Sequence, residues 1–534
     1  MTTELRETEQ RNGGGAAVAL PPMSDLPGVA TVSEPVPETL VADYYDTDDL
    51  RLLLAGVKLR RRRGGPGEGW HLKLPAHAAE IWGAAADVTA AGATEATGEL
   101  WLSPGRGRLD LSAAGVTEHV PVELERLVRV HTRGGALRPV ARIETRRYRT
   151  TLRDAAGTAL VEILSDDVAA QTVGAATSQS RWNEVEVEPA EGSHRLLRAV
   201  TERLRAAGLS PAARSAKLAR ALSVDPGATT GSPPAQRLSA RSPAGDVILA
   251  YLRAQVARIK DLDPAVRRDE TDAVHQMRVT TRRLRAALQA FPMVLPGPAT
   301  ARLNEELRWL GRVLGTARDI EVLSEHFAAE LDATPDEMVV GPVRARVSAH
   351  FARREAAARA AMADALDSAR YFALLDELDG LLADPPLATT AAAPAAELLP
   401  RAIGKAYRRA RRRMRRARRM RQGPARDTML HSARKAVKRA RYAAEAARPA
   451  VGGRARRLAT GLKAVQSALG DLQDAVTARA TAREIGIAAH LAGENAFTFG
   501  LLTERSSGRA RDAQRAGIKA WKQASRPKLR RWVR

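Results

Sequence analysis

The chain has no cysteine, which excludes disulfide bonds, thiolate metal sites and cysteine nucleophiles. Aromatic residues make up only 4% of its 534 residues. It has no uncharged apolar run of about 18 residues, the length of a membrane-spanning helix. Its first ten residues, MTTELRETEQ, lack the pattern of a secretory signal. The sequence therefore predicts a soluble, cytoplasmic protein that does not insert into membranes.

Positive charge is concentrated in the second part of the chain. Residues 1–222 hold 28 Lys/Arg and 29 Asp/Glu, whereas residues 223–534 hold 57 and 32, a net charge of +25. This asymmetry indicates an anionic partner for the second part: nucleic acid, an acidic membrane surface or another polyanion. Composition alone does not choose among these partners, and it sets no oligomeric state.

The boundary between two domains is visible in composition. Residues 223–242 are rich in Pro, Gly, Ser and Thr, have no hydrophobic periodicity, and are predicted to be a flexible linker. Residues 1–222 show strand-like alternation with a few helices, whereas residues 243–534 show helical spacing almost throughout. The second domain is predicted to contain helices at residues 244–260, 268–291, 299–331, 341–364, 368–382, 394–421, 426–447, 452–481 and 497–523.

Charged side chains alternate along the predicted strands of the first domain. On a strand, Glu7, Glu9 and Arg11 share one face, and two carboxylates spaced in this way can share a divalent cation. A polar strand face or a frayed terminus explains the same three residues. Arg60 and Arg62 likewise share a face. A solvated edge strand that is protected from pairing by its charge explains these two residues equally well.

Three later segments keep this alternation. VARIETRRYRTT places Arg142, Glu144 and Arg146 on one face, and LVEILSDDV places Glu162 with Asp166. RWNEVEVE alternates valines with a row of three carboxylates, Glu184, Glu186 and Glu188. Such a row is costly unless cations oppose it or solvent reaches it. The segments fit either a solvated sheet face or a barrel with a charged interior.

In this order, ETEQR, YYDT, LRLLLAGVKLRRRR, GWHLKLP, VARIETRR, SRWNEVEVE and SAKLARAL resemble a CYTH domain, the triphosphate tunnel metalloenzyme fold. The resemblance implies an eight-stranded antiparallel barrel with flanking helices and a hydrophilic tunnel. It also implies metal-dependent hydrolysis of inorganic triphosphate or short polyphosphate. Where the family motif has lysine, this chain has Arg11, a planar fork instead of a point donor.

The resemblance assigns roles to individual residues of the first domain. The implied metal is Mg²⁺, with Mn²⁺ as the alternative, and the implied metal ligands are Glu7, Glu9, Asp166, Glu184 and Glu186. Glu7, Glu9 and Arg11 form the implied catalytic motif. The implied triphosphate-binding residues are Arg60, Arg62, Lys73, Arg142, Arg146 and Lys217.

A motif in the second domain occurs twice. The segments from His275 to Arg285 and from His431 to Arg441 each carry basic residues 3, 7, 8 and 10 positions after the histidine. On a helix, offsets 0, 3, 7 and 10 share one face. A second signal follows each copy, LGTARD from Leu314 and LGDLQD from Leu469. The sequence therefore predicts an internal duplication, with repeats at about 243–385 and 394–525.

The duplicated motif resembles a CHAD domain, the conserved histidine α-helical domain. This resemblance implies a pair of helical bundles that bind inorganic polyphosphate. The implied ligand-binding residues are His275, Arg278, Arg282, Arg285, Arg312, Arg318, His431, Arg434, Lys438 and Arg441. The second copy has Gln473 in place of Arg318, so its half of the surface is expected to bind more weakly. A solvated arginine face with structural histidines is the plain alternative.

A basic segment lies between the two copies. Residues 401–421 hold 12 basic side chains and no acidic one, and the cations are predicted to lie all round the helix. The segment could extend the polyanion site or bind nucleic acid non-specifically, in a strongly salt-dependent way. The scarcity of aromatic residues disfavours recognition of bases by stacking.

The sequence thus predicts a multidomain protein, α+β and then all-α. It consists of an antiparallel β tunnel barrel with flanking helices, followed by duplicated helical bundles. The predicted function is metal-dependent hydrolysis of inorganic triphosphate combined with polyphosphate binding. The alternatives are a non-catalytic polyphosphate-binding scaffold, associated with polyphosphate granules, and a non-specific nucleic-acid binder.

Overall fold

A computed structural model describes residues 3–7, 20–64, 68–75, 100–105, 108–113, 119–174, 177–190, 194–211, 217–224 and 238–533. The chain divides into two compact units, residues 1–233 and 234–534. Each unit is described by itself.

The first unit contains one antiparallel sheet. Along the sheet the strands follow the order β11-β1-β10-β9-β8-β3-β4-β5-β7-β6, and β2 pairs with β8. The strands are β1 (Thr3–Glu7), β2 (Thr31–Val32), β3 (Val36–Asp46), β4 (Lys58–Arg63), β5 (Gly69–Pro75), β6 (Leu100–Gly105), β7 (Arg108–Ala113), β8 (Arg138–Arg153), β9 (Ala159–Thr172), β10 (Gln179–Pro189) and β11 (Leu209–Pro211).

Helices flank this sheet on both sides. They are α1 (Arg51–Leu54), α2 (Val122–Thr132), α3 (His194–Ala206) and α4 (Lys217–Ala221). Helix α3 packs on Val185 and Val187 of β10, and α2 packs on Leu59 of β4 and Leu72 of β5. Because side chains alternate along a strand, the residues between these apolar positions point to the opposite face. We call that opposite side the charged face.

The second unit is helical. Its helices are α5 (Ala244–Arg267), α6 (Ala273–Ala290), α7 (Ala301–Asp332), α8 (Val343–Leu366), α9 (Ala369–Ala383), α10 (Ala395–Arg419), α11 (Pro424–Ala446), α12 (Arg448–Val451), α13 (Gly453–Leu491), α14 (Phe497–Ala524) and α15 (Pro527–Arg530). The nine helices expected from the sequence correspond to α5–α11, α13 and α14. Helix α5 continues seven residues past the expected end at 260 and contains Pro264.

The two copies of the duplicated motif lie on α6 and α11, which contact each other. The helix that follows the first copy, α7, packs on α6, and the helix α13 packs on α11. Each copy is therefore a helix pair, and the motif helices of the two pairs meet. Among the described residues, no helix is both long and apolar enough to cross a membrane.

The expectation that cations surround the basic helix is wrong. Helix α10 buries an apolar stripe at Ile403, Tyr407, Ala410, Met414 and Ala417, whose spacing of three and four residues defines one face. The basic residues of residues 401–421 occupy the rest of its circumference, and all are exposed except the half-buried Arg413. The helix is thus amphipathic, with a broad cationic face.

Candidate functional site

Three carboxylates meet on the charged face. Asp166 lies on β9, directly opposite Glu184 on β10, and Glu186 is two residues further along β10. Each of the three offers a carboxylate oxygen within 4.8 Å of the others. The Trp182 Nε1 donates to Glu184 at 2.7 Å and holds that carboxylate in place. Carboxylate oxygens are the ligands that Mg²⁺ and Mn²⁺ prefer.

A lysine ammonium already lies among these carboxylates. The Lys217 Nζ is 2.6 Å from Asp166, 3.0 Å from Glu184 and 3.2 Å from Glu186. Burial lowers the pKa of Lys217, but the three carboxylates raise it by more, so the net shift is upward. The three groups therefore hold positive charge at one common point, and this donor set fits a divalent cation.

Arg147 of β8 completes the acidic cluster. Its guanidinium donates to both oxygens of Asp166, at 2.8 and 2.7 Å, and to Glu186 at 3.2 Å. Burial raises the pKa of Asp166, but hydrogen bonds and charge from Arg147 and Lys217 outweigh it, and the net shift is downward. The cluster is thus an ion network in which Asp166 is completely buried.

The opposite end of the charged face is basic. Strand pairing places Arg62 opposite Ala42, Arg60 opposite Tyr44, and Lys58 opposite Lys73, all on this face. Burial and the charge of Arg60 lower the pKa of Arg62 to about 10. Burial raises the pKa of Tyr44, but Arg60 and Lys58 outweigh it and lower the pKa. This end therefore groups four cations, Lys58, Arg60, Arg62 and Lys73, on one side of the sheet.

The structure does not bring Arg142 and Arg146 to the charged face. Arg142 pairs with Asp43 at 2.6 Å on the other side of the sheet, and Arg146 is exposed beside Glu144. The pairing of β8 with β9 places Arg147 opposite Asp166 and Arg149 opposite Leu164. Arg147 and Arg149 therefore occupy the places that the sequence prediction gave to Arg142 and Arg146.

Several members of the charged face were missed from the sequence. Alternation divides the β8 sequence into two sets of residues, and only its pairing with β3 and β9 decides which set shares a face with the acids. Arg149 pairs with Glu162 at 2.9 Å and lies near Glu38 at 3.7 Å. The residues missed are Glu38, Tyr44, Lys58, Arg147 and Arg149.

The N-terminal motif is described only in part. Glu7 is the last residue of β1. In the pairing of β1 with the neighbouring strand β10, Arg6 lies opposite Glu184. The side chain of Glu7, together with Glu9 and Arg11, lies outside what the structure describes. Their assigned roles stay predictions.

In the second unit, the arginine three residues after each motif histidine lies against a glycine. A Cβ on Gly315 would be 3.5 Å from the Arg278 Nε, and one on Gly470 would be 3.1 Å from an Arg434 terminal nitrogen. Arg278 also donates to Asp319 at 2.7 Å. The LG signals thus provide a flat helix surface on which a guanidinium rests, which gives the duplicated sequence pattern a physical reason.

Four cations from both copies form one group, which we call the central cluster: Arg278, Arg282, Arg434 and Lys438. Burial and the charges of the three arginines lower the pKa of Lys438 to about 7. The Nε atoms of Arg282 and Arg434 are buried and have no hydrogen-bond partner among the described residues. Cations crowded in this way, with donors left unused, favour binding of an anion.

The other predicted ligand residues differ in their surroundings. Burial is the main cause that lowers the pKa values of His275 and His431. Arg312 is exposed, and Arg318 pairs with Glu321 at 2.7 Å. Arg441 is not part of the central cluster, because it is buried and donates to Glu445 at 2.6 Å and to Gln466 at 3.1 Å. Its hydrogen bond to Gln466 joins α11 to α13, and its assigned ligand role stays a prediction.

A second group of cations in this unit consists of Arg285, Arg409, Arg413 and Arg439, and we call it the lateral cluster. Burial and the charges of the other three members lower the pKa of Arg439. Arg413 of α10 also donates to the backbone carbonyl of Ser432 at 3.0 Å, one residue after His431. The basic helix is therefore packed directly against the second copy of the motif.

Two family models match the chain. The CYTH domain model matches residues 24–217, and the CHAD domain model matches residues 250–483. Uncharacterized proteins from two strains of Mycobacterium tuberculosis are each 36% identical over 503 residues, which is 91% of this chain and 90% of theirs. Similarity to these relatives therefore extends across both units.

Two solved structures are similar to part of the chain. The CHAD domain from the plant Ricinus communis is 30% identical, has a TM-score of 0.43, and is covered over 98% of its length by 54% of this chain. PptA from Streptomyces chartreusis is 23% identical, has a TM-score of 0.45, and is covered completely by 53% of this chain.

We predict that neighbouring arginines on β8 contribute very differently to stability. Arg147→Met leaves the buried Asp166 and the partly exposed Glu186 with Lys217 as their remaining cation, and should lower the free energy of unfolding by about 3 kcal/mol. Arg146→Met, on the exposed face, should change it by less than about 0.5 kcal/mol. Urea denaturation of both variants measures the difference. Equal stabilities would contradict the assignment of Arg147 to the ion network.

Proposed function

This chain belongs to the family of proteins that join a CYTH domain to a CHAD domain, and we propose that it hydrolyses short phosphate chains and binds long ones. The CYTH superfamily comprises metal-dependent phosphate-transfer enzymes. The substrate proposed for the first unit is inorganic triphosphate or short polyphosphate. The main support is the charged face, where a carboxylate cluster and a basic end lie on the same side of one sheet.

The acidic end is the proposed metal site. Asp166, Glu184 and Glu186 would hold Mg²⁺, or Mn²⁺, with Glu7 and Glu9 as further ligands. A divalent cation held there would offset negative charge that develops on the phosphoryl oxygens. In the proposed complex Lys217 leaves the carboxylates and donates to phosphate instead, so one positive charge is exchanged for another.

The basic end is the proposed binding site for the phosphate chain. A triphosphate gives up much hydration on entering a protein, and several cations must replace it. Arg60, Arg62 and Lys73 would bind the end of the chain far from the metal, and Arg147 and Arg149 the end near it. Arg11 would take the place of the lysine in the family motif. Binding in this way would orient the terminal phosphoryl group toward the acidic cluster. Water would attack its phosphorus there, the bond to the bridging oxygen would break, and phosphate and pyrophosphate would leave.

The central cluster is the proposed polyphosphate site of the second unit. A polyphosphate chain carries charge along its whole length, so it can satisfy Arg278, Arg282, Arg434 and Lys438 together. The unused donors of Arg282 and Arg434 support this proposal. The fusion of the two domains supports a division of labour in which the second unit retains long chains and the first hydrolyses short ones.

One observation favours a second candidate function. Lys217 and Arg147 already neutralise the carboxylates that would hold the metal. A first unit that kept this arrangement with ligand bound would bind triphosphate without hydrolysing it. The protein would then be a polyphosphate-binding scaffold, such as one associated with polyphosphate granules.

We predict that the wild-type protein releases phosphate from tripolyphosphate only when Mg²⁺ or Mn²⁺ is added. Glu186→Gln removes one charged ligand of the proposed metal and should reduce the rate by about 100-fold. Combined replacement of Glu7 and Glu9 by alanine should abolish release. The measurement is release of inorganic phosphate over time.

Glu144→Gln is the matched control, because Glu144 is a carboxylate on the other side of the same sheet. It should retain the wild-type rate. Metal-dependent release that persists in Glu186→Gln would contradict the proposed metal site. Tight binding of tripolyphosphate without release in the wild-type protein would select the scaffold function.

We predict that polyphosphate affinity falls as pH rises above 7. In the ligand-free protein, burial and three neighbouring arginines lower the pKa of Lys438 to about 7, so its side chain is charged below that pH. It faces Arg278, Arg282, Arg434, His431 and Asp474. A bound polyanion would raise its pKa, so binding above pH 7 takes up a proton, and affinity falls by up to about tenfold per pH unit.

Lys438→Arg keeps a positive charge throughout this range and should flatten the pH profile. Isothermal titration in two buffers of different ionisation enthalpy measures the proton uptake directly. The same pH dependence in Lys438→Arg and wild type would show that another group is responsible.

A further inference from the structure

The exposed arginines at the C-terminal end of α10 form a surface that the proposed function does not use. Arg412, Arg415, Arg416 and Arg419, with Met420, line a shallow cavity of about 460 Å³. We call the four arginines the arginine arm. Within the described part of the chain, no carboxylate lies within ion-pair distance of any of the four. Within these described residues, no ion pair therefore neutralises their charge.

The arginine arm adjoins the lateral cluster. Arg409 and Arg412 are three residues apart on α10, and Arg412 and Arg416 are four apart, so their side chains are neighbours on the helix surface. Arg412 also lowers the pKa of Arg413, after burial and Arg409. Each successive turn of α10 from Arg409 to Arg419 therefore carries at least one arginine.

The lateral cluster in turn adjoins the central cluster. Arg282 and Arg285 are three residues apart on α6, and Lys438 and Arg439 are consecutive on α11. One member of each pair belongs to the central cluster and the other to the lateral cluster. A row of cations therefore runs from the duplicated motif, through the lateral cluster, to the arginine arm.

The length of this row limits which anions can span it. At about 1.5 Å rise per residue, Arg409 and Arg419 alone are about 15 Å apart along the helix axis. Tripolyphosphate is much shorter than that distance. A long phosphate polymer, in contrast, can contact the central cluster and the arm at once, and linked contacts of this kind raise affinity.

The surroundings of the arm favour polyphosphate, a phosphate chain without bases, over nucleic acid. Tyr407 is the aromatic residue of α10, and it is buried against Trp521 with their ring centroids 5.7 Å apart. The cationic face of α10 thus offers bases no aromatic platform for stacking.

We propose that the arginine arm is a second binding site for inorganic polyphosphate, which binds the part of a long chain that extends beyond the central cluster. The proposal rests on polyphosphate binding by the second unit. It adds selectivity for chain length, because short chains bind only at the central cluster and long chains bind at both.

The test replaces Arg412, Arg415, Arg416 and Arg419 by glutamine in the full-length protein. Glutamine keeps a helix propensity close to that of arginine, so α10 should fold normally, as circular dichroism can verify. Affinity for long-chain polyphosphate should fall by at least about tenfold, and the slope of log affinity against log salt should become shallower by about three. Binding of tripolyphosphate should not change.

A matched control removes the same charge from α8. Its exposed arginines include three that pair with carboxylates, namely Arg344 with Asp332, Arg354 with Glu484 and Arg359 with Asp269. Replacement of these three and Arg353 by glutamine should leave polyphosphate affinity within about twofold of wild type. An equal loss in this control would show that net charge, not the arm, determines binding.

The remaining outcomes separate the arm from the proposed function. Wild-type affinity for long chains in the arm variant would overturn the arm while leaving the central cluster intact. Failure of the wild-type protein to bind any polyphosphate would instead overturn the proposed function. Loss of duplex DNA binding with unchanged polyphosphate binding would identify the arm as a nucleic-acid surface and overturn the proposal.

Discussion

Mutual repulsion among closely spaced cations is the constraint that shapes both units. In the first unit, the chain supplies carboxylates at one end of the charged face, and Arg147 and Lys217 are neutralised there. At the other end, burial and then the charge of Arg60 lower the pKa of Arg62 to about 10. In the second unit, burial and then the charges of three arginines lower the pKa of Lys438.

Holding such groups together costs free energy that the fold must offset by packing. The duplicated glycines reduce this cost, since Gly315 and Gly470 let Arg278 and Arg434 lie flat against the neighbouring helix. The amphipathic packing of α10 does the same for its arginines by placing Met414 and Ala417 in the core. An anion that binds these cations recovers part of the cost, so the unneutralised charge couples stability to ligand binding.

The sequence predicted the fold class well because two periodicities are clear in it. Alternating valine and glutamate identify β10, and the nine helices expected in the second unit follow from runs of Ala, Leu and Arg with few breakers. Sequence alone could not assign Arg147, because choosing between Arg146 and Arg147 requires the register of β8 against β9. Identical spacing in the two copies also hides the contact of Arg441 with Glu445. The sequence analysis did not recognise α10 as amphipathic, because alanines form much of its buried apolar stripe.

The central claim is that phosphate chains bind the crowded cations of the second unit, whose charge the neighbouring carboxylates Asp319 and Asp474 offset only in part. Thermal unfolding of the full-length protein with long-chain polyphosphate, compared with sulfate at equal ionic strength, tests this claim most directly. A ligand that binds only the native state raises the melting temperature, and polyphosphate should raise it by several degrees where sulfate does not. An unchanged melting temperature at saturating polyphosphate, or an equal rise with sulfate, would contradict the account.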